Sequence, residues 1–108
     1  ELQQNNAELR NNGKHLVDQG LDRTPLFERL FELLAGRSAT ETRNLLLYVI
    51  DKKVYDESRM RSFLLVLAAR SAKELRNAWR HLERKDPALA AVMAKELREK
   101  GYVLDRED

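Results

Sequence analysis

The sequence contains no cysteine. That excludes a disulfide framework, thiolate chemistry and cysteine-based zinc sites, and it fits a reducing, cytoplasmic setting. Glycine occurs four times and proline twice in 108 residues. The glycines stand apart at positions 13, 20, 36 and 101, so no glycine-rich loop leads into a helix to cradle phosphate. The longest apolar runs, "LLLYVI" and "FLLVLAA", are far below the roughly 20 residues that span a bilayer. No signal-peptide pattern is visible, and no membrane partner is expected. Neither sign of charge dominates: 20 basic residues stand against 18 acidic ones, for a net +2. A dedicated nucleic-acid binder usually carries a larger excess on one face.

What is present is ordinary for a globular chain with a charged surface: 43% hydrophobic and 35% charged residues, enough for one small domain with a single core. The domain is expected to fill residues 1–108, with its core between about 7 and 100. The chain opens on glutamate and is read as excised from a larger protein.

Start and stop signals divide the chain into six helices. The first runs roughly from Leu2 to Gln19, and Gly13 inside it predicts a kink or break, because glycine costs about 1 kcal/mol against alanine there. The second starts with Thr24 as N-cap and Pro25 at the first position. It carries an apolar stripe of Leu26, Phe27, Leu30, Phe31 and Leu34, and is expected to stop at Gly36 in a left-handed cap. Ser38 and Glu41 have capping-box spacing for the third helix, as do Ser71 and Glu74 for the fifth. "NLLLYVI" is apolar around most of its circumference, which makes the third helix central.

Asp56 or Ser58 caps the fourth helix, whose face is Met60, Phe63, Leu64, Leu67 and Ala68. The fifth turns Leu75, Ala78, Trp79 and Leu82 inward. Asp86 and Pro87 begin the sixth, which should bury Leu89, Val92, Met93 and Leu97 before Gly101. Tyr102 and Val103 are expected to fold back. The fold class is all-α: a compact antiparallel bundle of six short helices.

Little in the chain points to catalysis. The two histidines, His15 and His81, are isolated, whereas zinc needs clustered ligands. Most serines and threonines are engaged in capping. No enzyme activity, cofactor or metal is expected of this domain. "LLAGRSATETRNLL" has the outline of a helix-turn-helix, but a recognition helix must offer polar side chains to base edges, and here it continues into "LLLYVI". Arg37, Thr40 and Arg43 remain possible phosphate contacts. On the fifth helix, Lys73, Arg76, Arg80 and Arg84 recur at spacings 3, 4 and 4. This basic stripe suits phosphate, an acidic protein or simply solvent.

Three segments carry a family likeness. "LRNNGKHLVDQG" resembles the interrupted first helix of a caspase recruitment domain of the death-fold superfamily. "YDESRMRSFLLVL" resembles its fourth helix, and "LRNAWRHLERKDPALAAVMAKEL" its last two. The likeness covers about residues 7–100 and extends to bacterial death-like adaptor domains. The long apolar third helix departs from the family's usual short one.

The resemblance implies a recruitment or adaptor domain that binds its own kind, itself or a related death-like domain, in immune or cell-death-type signalling. It implies a contact that sets basic residues of the first and fourth helices, here Arg10, Lys14, Arg59 and Arg61, against acidic residues of the second and third, here Glu28, Glu32 and Asp51. The alternative reading is a nucleic-acid-binding helical domain using the stripe of the fifth helix.

Overall fold

The computed structural model describes residues 5–104. Six helices follow one another: α1 (Asn6–Asp18), α2 (Pro25–Arg37), α3 (Ala39–Lys52), α4 (Glu57–Ala68), α5 (Ala72–Lys85) and α6 (Pro87–Glu99). No strand occurs among the described residues, so the all-α bundle expected from periodicity is the fold. α3 is the central element and packs on α1, α2, α4 and α5, while α6 packs against α5. Leu45, Leu46, Val49 and Ile50 of α3 are fully buried, which is why "NLLLYVI" carries so little polarity.

Capping follows the local chemistry closely. Thr24 and Asp56 accept hydrogen bonds from the backbone N–H groups of Phe27 and Arg59, and Asp86 does so from Leu89. Ser38 and Ser71 accept from the N–H groups of Glu41 and Glu74, but neither glutamate closes the expected box. Both carboxylates are drawn to tertiary partners instead, described below. The reciprocal box belongs to α1, between Asn5 and Glu8, so that helix starts at Asn6 and not near Leu2, which lies outside the described residues. Gly36 is no left-handed cap. The helix continues to Arg37, and the positive-φ glycines are Gly20 and Gly101. After Gly101, the N–H of Tyr102 bonds the Leu97 carbonyl and that of Gly101 bonds Arg98, the paired closure of a helix C-terminus that a left-handed glycine permits.

Gly13 has a different purpose from the one its propensity suggests. The helix runs through it unbroken. A Cβ at this position would stand 2.7 and 2.9 Å from the two Leu45 methyls and 3.2 Å from a Leu30 methyl. The glycine lets α1 settle directly onto α3, and the packing gained offsets its poor helix propensity.

The core is continuous from Leu9 to Leu104. Phe27, Phe31 and Phe63 join α2 to α4, with ring centroids 4.6–6.4 Å apart. Trp79 donates its indole N–H to the buried Ala90 carbonyl at 2.8 Å, tying α5 to α6. Two apolar expectations fail at the edges: Leu26 is 60% and Val92 41% exposed. At the C-terminal end Val103 stays exposed and Leu104 is the buried anchor, with Tyr102 packed beside it.

In an ordinary helix interior Gly13→Ala gains about 1 kcal/mol. Here the gain should be reversed to a loss of ~1–2 kcal/mol through overpacking, measured by urea denaturation. Adding Leu45→Val should recover part of it, whereas a net gain from Gly13→Ala alone would show that α1 and α3 have room to spare.

Candidate functional site

Of the four basic positions expected to meet a partner, three are bound within the chain. Arg10 lies 2.6 Å from Glu41. Arg59 pairs with Asp22 at 2.9 Å, donates to the Val54 carbonyl at 2.8 Å and to the Asp22 carbonyl, and lies over the Phe63 ring. With side-chain exposures of 13% and 8% for Arg59 and Asp22, this pair is an internal clamp. It holds the α1–α2 and α3–α4 connections against the start of α4. Arg61 donates to Glu57 and Glu96, both at 2.8 Å, bridging α4 to α6. These contacts hold the Arg61 guanidinium far above its usual range, and the same bond from Arg61 lowers the Glu96 carboxyl. Glu41 is lowered too, by its hydrogen bond from Asn44 and then by Arg10.

Lys14 is the fourth. Its ammonium lies 5.3 Å from the centre of the Tyr48 ring, and Lys52 reaches the same ring at 5.3 Å. The Tyr48 hydroxyl donates to Asp18, which raises its pKa. Two ammonium groups and the Asp18 carboxylate share this one tyrosine, which leaves a local excess of positive charge where α1 meets α3.

The acidic positions divide. Glu28 and Glu32 are exposed, make no ion pair with another described residue, and line a groove of about 240 Å³ between α2 and α4 with Ser58, Arg59, Ser62, Phe63 and Val66; the Arg59 guanidinium there is neutralised by Asp22. Asp51 is not with them: it faces α5, 2.7 Å from His81 Nε2 and 3.9 Å from Lys85.

The stripe on α5 is not a continuous outer row. Arg76 is buried, with its guanidinium 3.5 Å from the Val103 carbonyl of the returning C-terminal segment. Arg80 is half-buried, while Lys73 and Arg84 are exposed. At the start of α3, Thr40 donates to Glu74 at 2.9 Å and Arg43 pairs with the same carboxylate at 3.0 Å. Two of the three side chains weighed as phosphate contacts there are therefore held to α5.

A further feature lies at the edge of the apolar stripe of α2, where Leu33, outside the stripe, joins Leu26. Leu26 and Leu33 stand 60% and 52% exposed. They flank an open groove of about 480 Å³ between α1 and α2, lined also by Leu9, Leu16, Leu30, Asn12, His15 and Arg29. No group of three or more His, Cys, Asp or Glu suited to a metal is present among the described residues, and no helix there is long and apolar enough to cross a membrane.

Comparison with family models, with curated proteins and with solved structures yields no match to this chain.

Removing one member of a buried ion pair leaves the other charged and desolvated. Arg59→Ala should therefore cost ~3–5 kcal/mol in urea unfolding, and Asp22→Leu/Arg59→Met should recover much of that loss; equal destabilisation by single and double variants would refute the clamp. Glu41 and Glu96 have lowered folded-state pKa values, so they stabilise the fold fully above the ordinary glutamate pKa of 4.5 and progressively less as pH falls below it. Denaturant midpoints taken from pH 6 to pH 2.5 should fall less steeply in Glu41→Gln/Glu96→Gln than in the parent chain.

Proposed function

We propose that this domain is a recruitment or adaptor module that associates with its own kind, head to tail, through two oppositely charged surfaces. The observation that carries the reading is the separation of free charge. Glu28 and Glu32 stand unpaired on the α2–α4 groove, while Lys14 and Lys52 converge on Tyr48. Lys14 lies about 160° around α1 from Leu16, the residue facing α2. Lys14 is thus turned away from the α1–α2 seam, and neither Lys14 nor Lys52 lines the α2–α4 groove that holds Glu28 and Glu32. Two unlike patches on one chain form a heterologous contact, which extends into an open chain of subunits unless its rotation closes a ring. The six-helix order and the likeness of three segments to caspase recruitment domains support the same reading.

Two parts of the expected contact are engaged within the chain: Asp51 on the acidic side, which faces His81 and Lys85, and most of the basic side. Arg10, Arg59 and Arg61 hold the fold together, so Lys14 is the member of that basic set left for a partner, with Lys52 beside it. Charge complementarity of this kind sets specificity and association rate more than affinity, and exposed charges are screened by salt.

Light scattering across protein concentration should show self-association that weakens as salt is raised. Glu28→Lys and Lys14→Glu should each weaken it roughly tenfold or more. Mixing the neutral variants Glu28→Gln/Glu32→Gln and Lys14→Gln/Lys52→Gln should restore a contact that stops at a dimer, because the first retains the cationic surface, the second the anionic one, and the two neutralised surfaces have no charge with which to pair. A chain that stays monomeric at high concentration and low salt, or association indifferent to both substitutions, would refute the proposal.

A further inference from the structure

We infer that the groove between α1 and α2 is a docking site for an acidic amphipathic helix of a partner protein. It lies apart from the self-association surfaces and does not depend on them: its lining includes neither Glu28, Glu32 nor Lys14.

Leu26 belongs to the apolar stripe of α2 and Leu33 stands beside it, and both would lie against the core if the apolar residues of this helix were purely structural. They are instead the most exposed leucines of the described chain, at 60% and 52%. Between them, Leu30 packs inward beside Gly13. Leu9 and Leu16 of α1 complete the apolar lining. From Leu26 to Leu33 is seven residues, about 10 Å along the helix axis. That length matches two turns of a guest helix presenting aliphatic side chains at i, i+3 or i+4, and i+7, the pattern by which an amphipathic helix fills a groove.

The charge of the guest follows from the rim. Arg29 is the sole formally charged residue in the lining, His15 is the titratable one, and no carboxylate takes part. Arg29 has no ion pair with another described residue, in contrast to Arg10, Arg59 and Arg61. It lies about 40° around α2 from Leu33, so its guanidinium is available beside an apolar ligand. An aliphatic helix edged with Asp or Glu satisfies both the leucines and Arg29, whereas a basic helix sets like charges together. A second copy bound through α2 about a two-fold axis also brings Arg29 toward its own counterpart, which disfavours a symmetric dimer on this surface.

The test is selection from a displayed library of 15-residue helices with randomised faces. The full chain is the bait, and Leu26→Asp/Leu33→Asp serves as counter-selection. Both substituted residues are already exposed, and thermal unfolding of the double variant checks that the fold is kept. The expected winners carry aliphatic residues at two-turn spacing with Asp or Glu alongside. They should lose at least tenfold in affinity for Leu33→Asp and lose affinity for Arg29→Glu, which should prefer lysine-bearing helices. Recovery of basic or uncharged binders, of binders indifferent to Leu26→Asp/Leu33→Asp, or of none would overturn the inference. So would self-association of the parent chain that Leu33→Asp abolishes, since a second copy would then be the occupant. Loss of association in Glu28→Lys with helix binding retained separates failure of one proposal from failure of the other.

Discussion

At Gly13 the absence of a side chain lets both methyls of Leu45 and one of Leu30 press against the α1 backbone. This close approach fixes how α1 lies against α3, and with it the α1 side chains that reach across to α3. One residue on, Lys14 reaches Tyr48; one turn back, Arg10 reaches Glu41; one turn beyond Lys14, Asp18 accepts a hydrogen bond from the Tyr48 hydroxyl. The same approach brings α1 beside α2 with Leu9, Leu16 and Leu30 between them. A methyl group at position 13 would push against a core that interdigitates to crystal-like density, where small volume changes are transmitted and not absorbed.

Charge in this chain has two separate uses. The buried Arg59–Asp22 pair, the Arg61–Glu96 bridge and the Arg43–Glu74–Thr40 network join elements distant in sequence. A chain of about a hundred residues has limited apolar area to bury, and such bonds fix the arrangement of helices at places the core does not reach. Glu28, Glu32 and Arg29 have no such engagement. α2 thus shows three sides in turn: Phe27, Phe31 and Leu34 to the core, Leu26 and Leu33 to the groove beside α1, and Glu28 and Glu32 to the groove beside α4.

The fold was legible because its local signals agree. Thr24–Pro25, Asp56 and Asp86–Pro87 mark helix starts whatever surrounds them, and the 3.6-residue period of Leu75, Ala78, Trp79 and Leu82 defines a buried face without reference to its partner. The site was much less so. Whether an arginine on a helix surface is free depends on which element lies opposite, and that is a tertiary fact: Arg59 meets Asp22 across 37 positions and Arg61 meets Glu96 across 35. Arg76 is covered by a segment 27 residues later. Gly13 read as a break because propensity is local and the Leu45 contact is not. Leu26 was misread for the opposite reason. Leu26 fits a helical stripe, but the stripe is wider than the core it covers, and periodicity alone cannot show where the covering stops. Exposure of Leu33 beside Arg29 gives the stripe its outer edge.

Free charge of opposite sign stands at two surfaces of the chain, Lys14 with Lys52 and Glu28 with Glu32, through which we propose that it associates. Amide and methyl chemical shifts followed through a dilution series at low salt test this most directly. Head-to-tail association should give concentration-dependent shifts in two clusters, around Lys14, Tyr48 and Lys52 and around Glu28, Glu32, Ser58 and Ser62. Both should collapse on adding salt, with the Leu26 and Leu33 methyls unmoved. Shifts confined to those methyls, or to Lys73, Arg80 and Arg84 of α5, would contradict it.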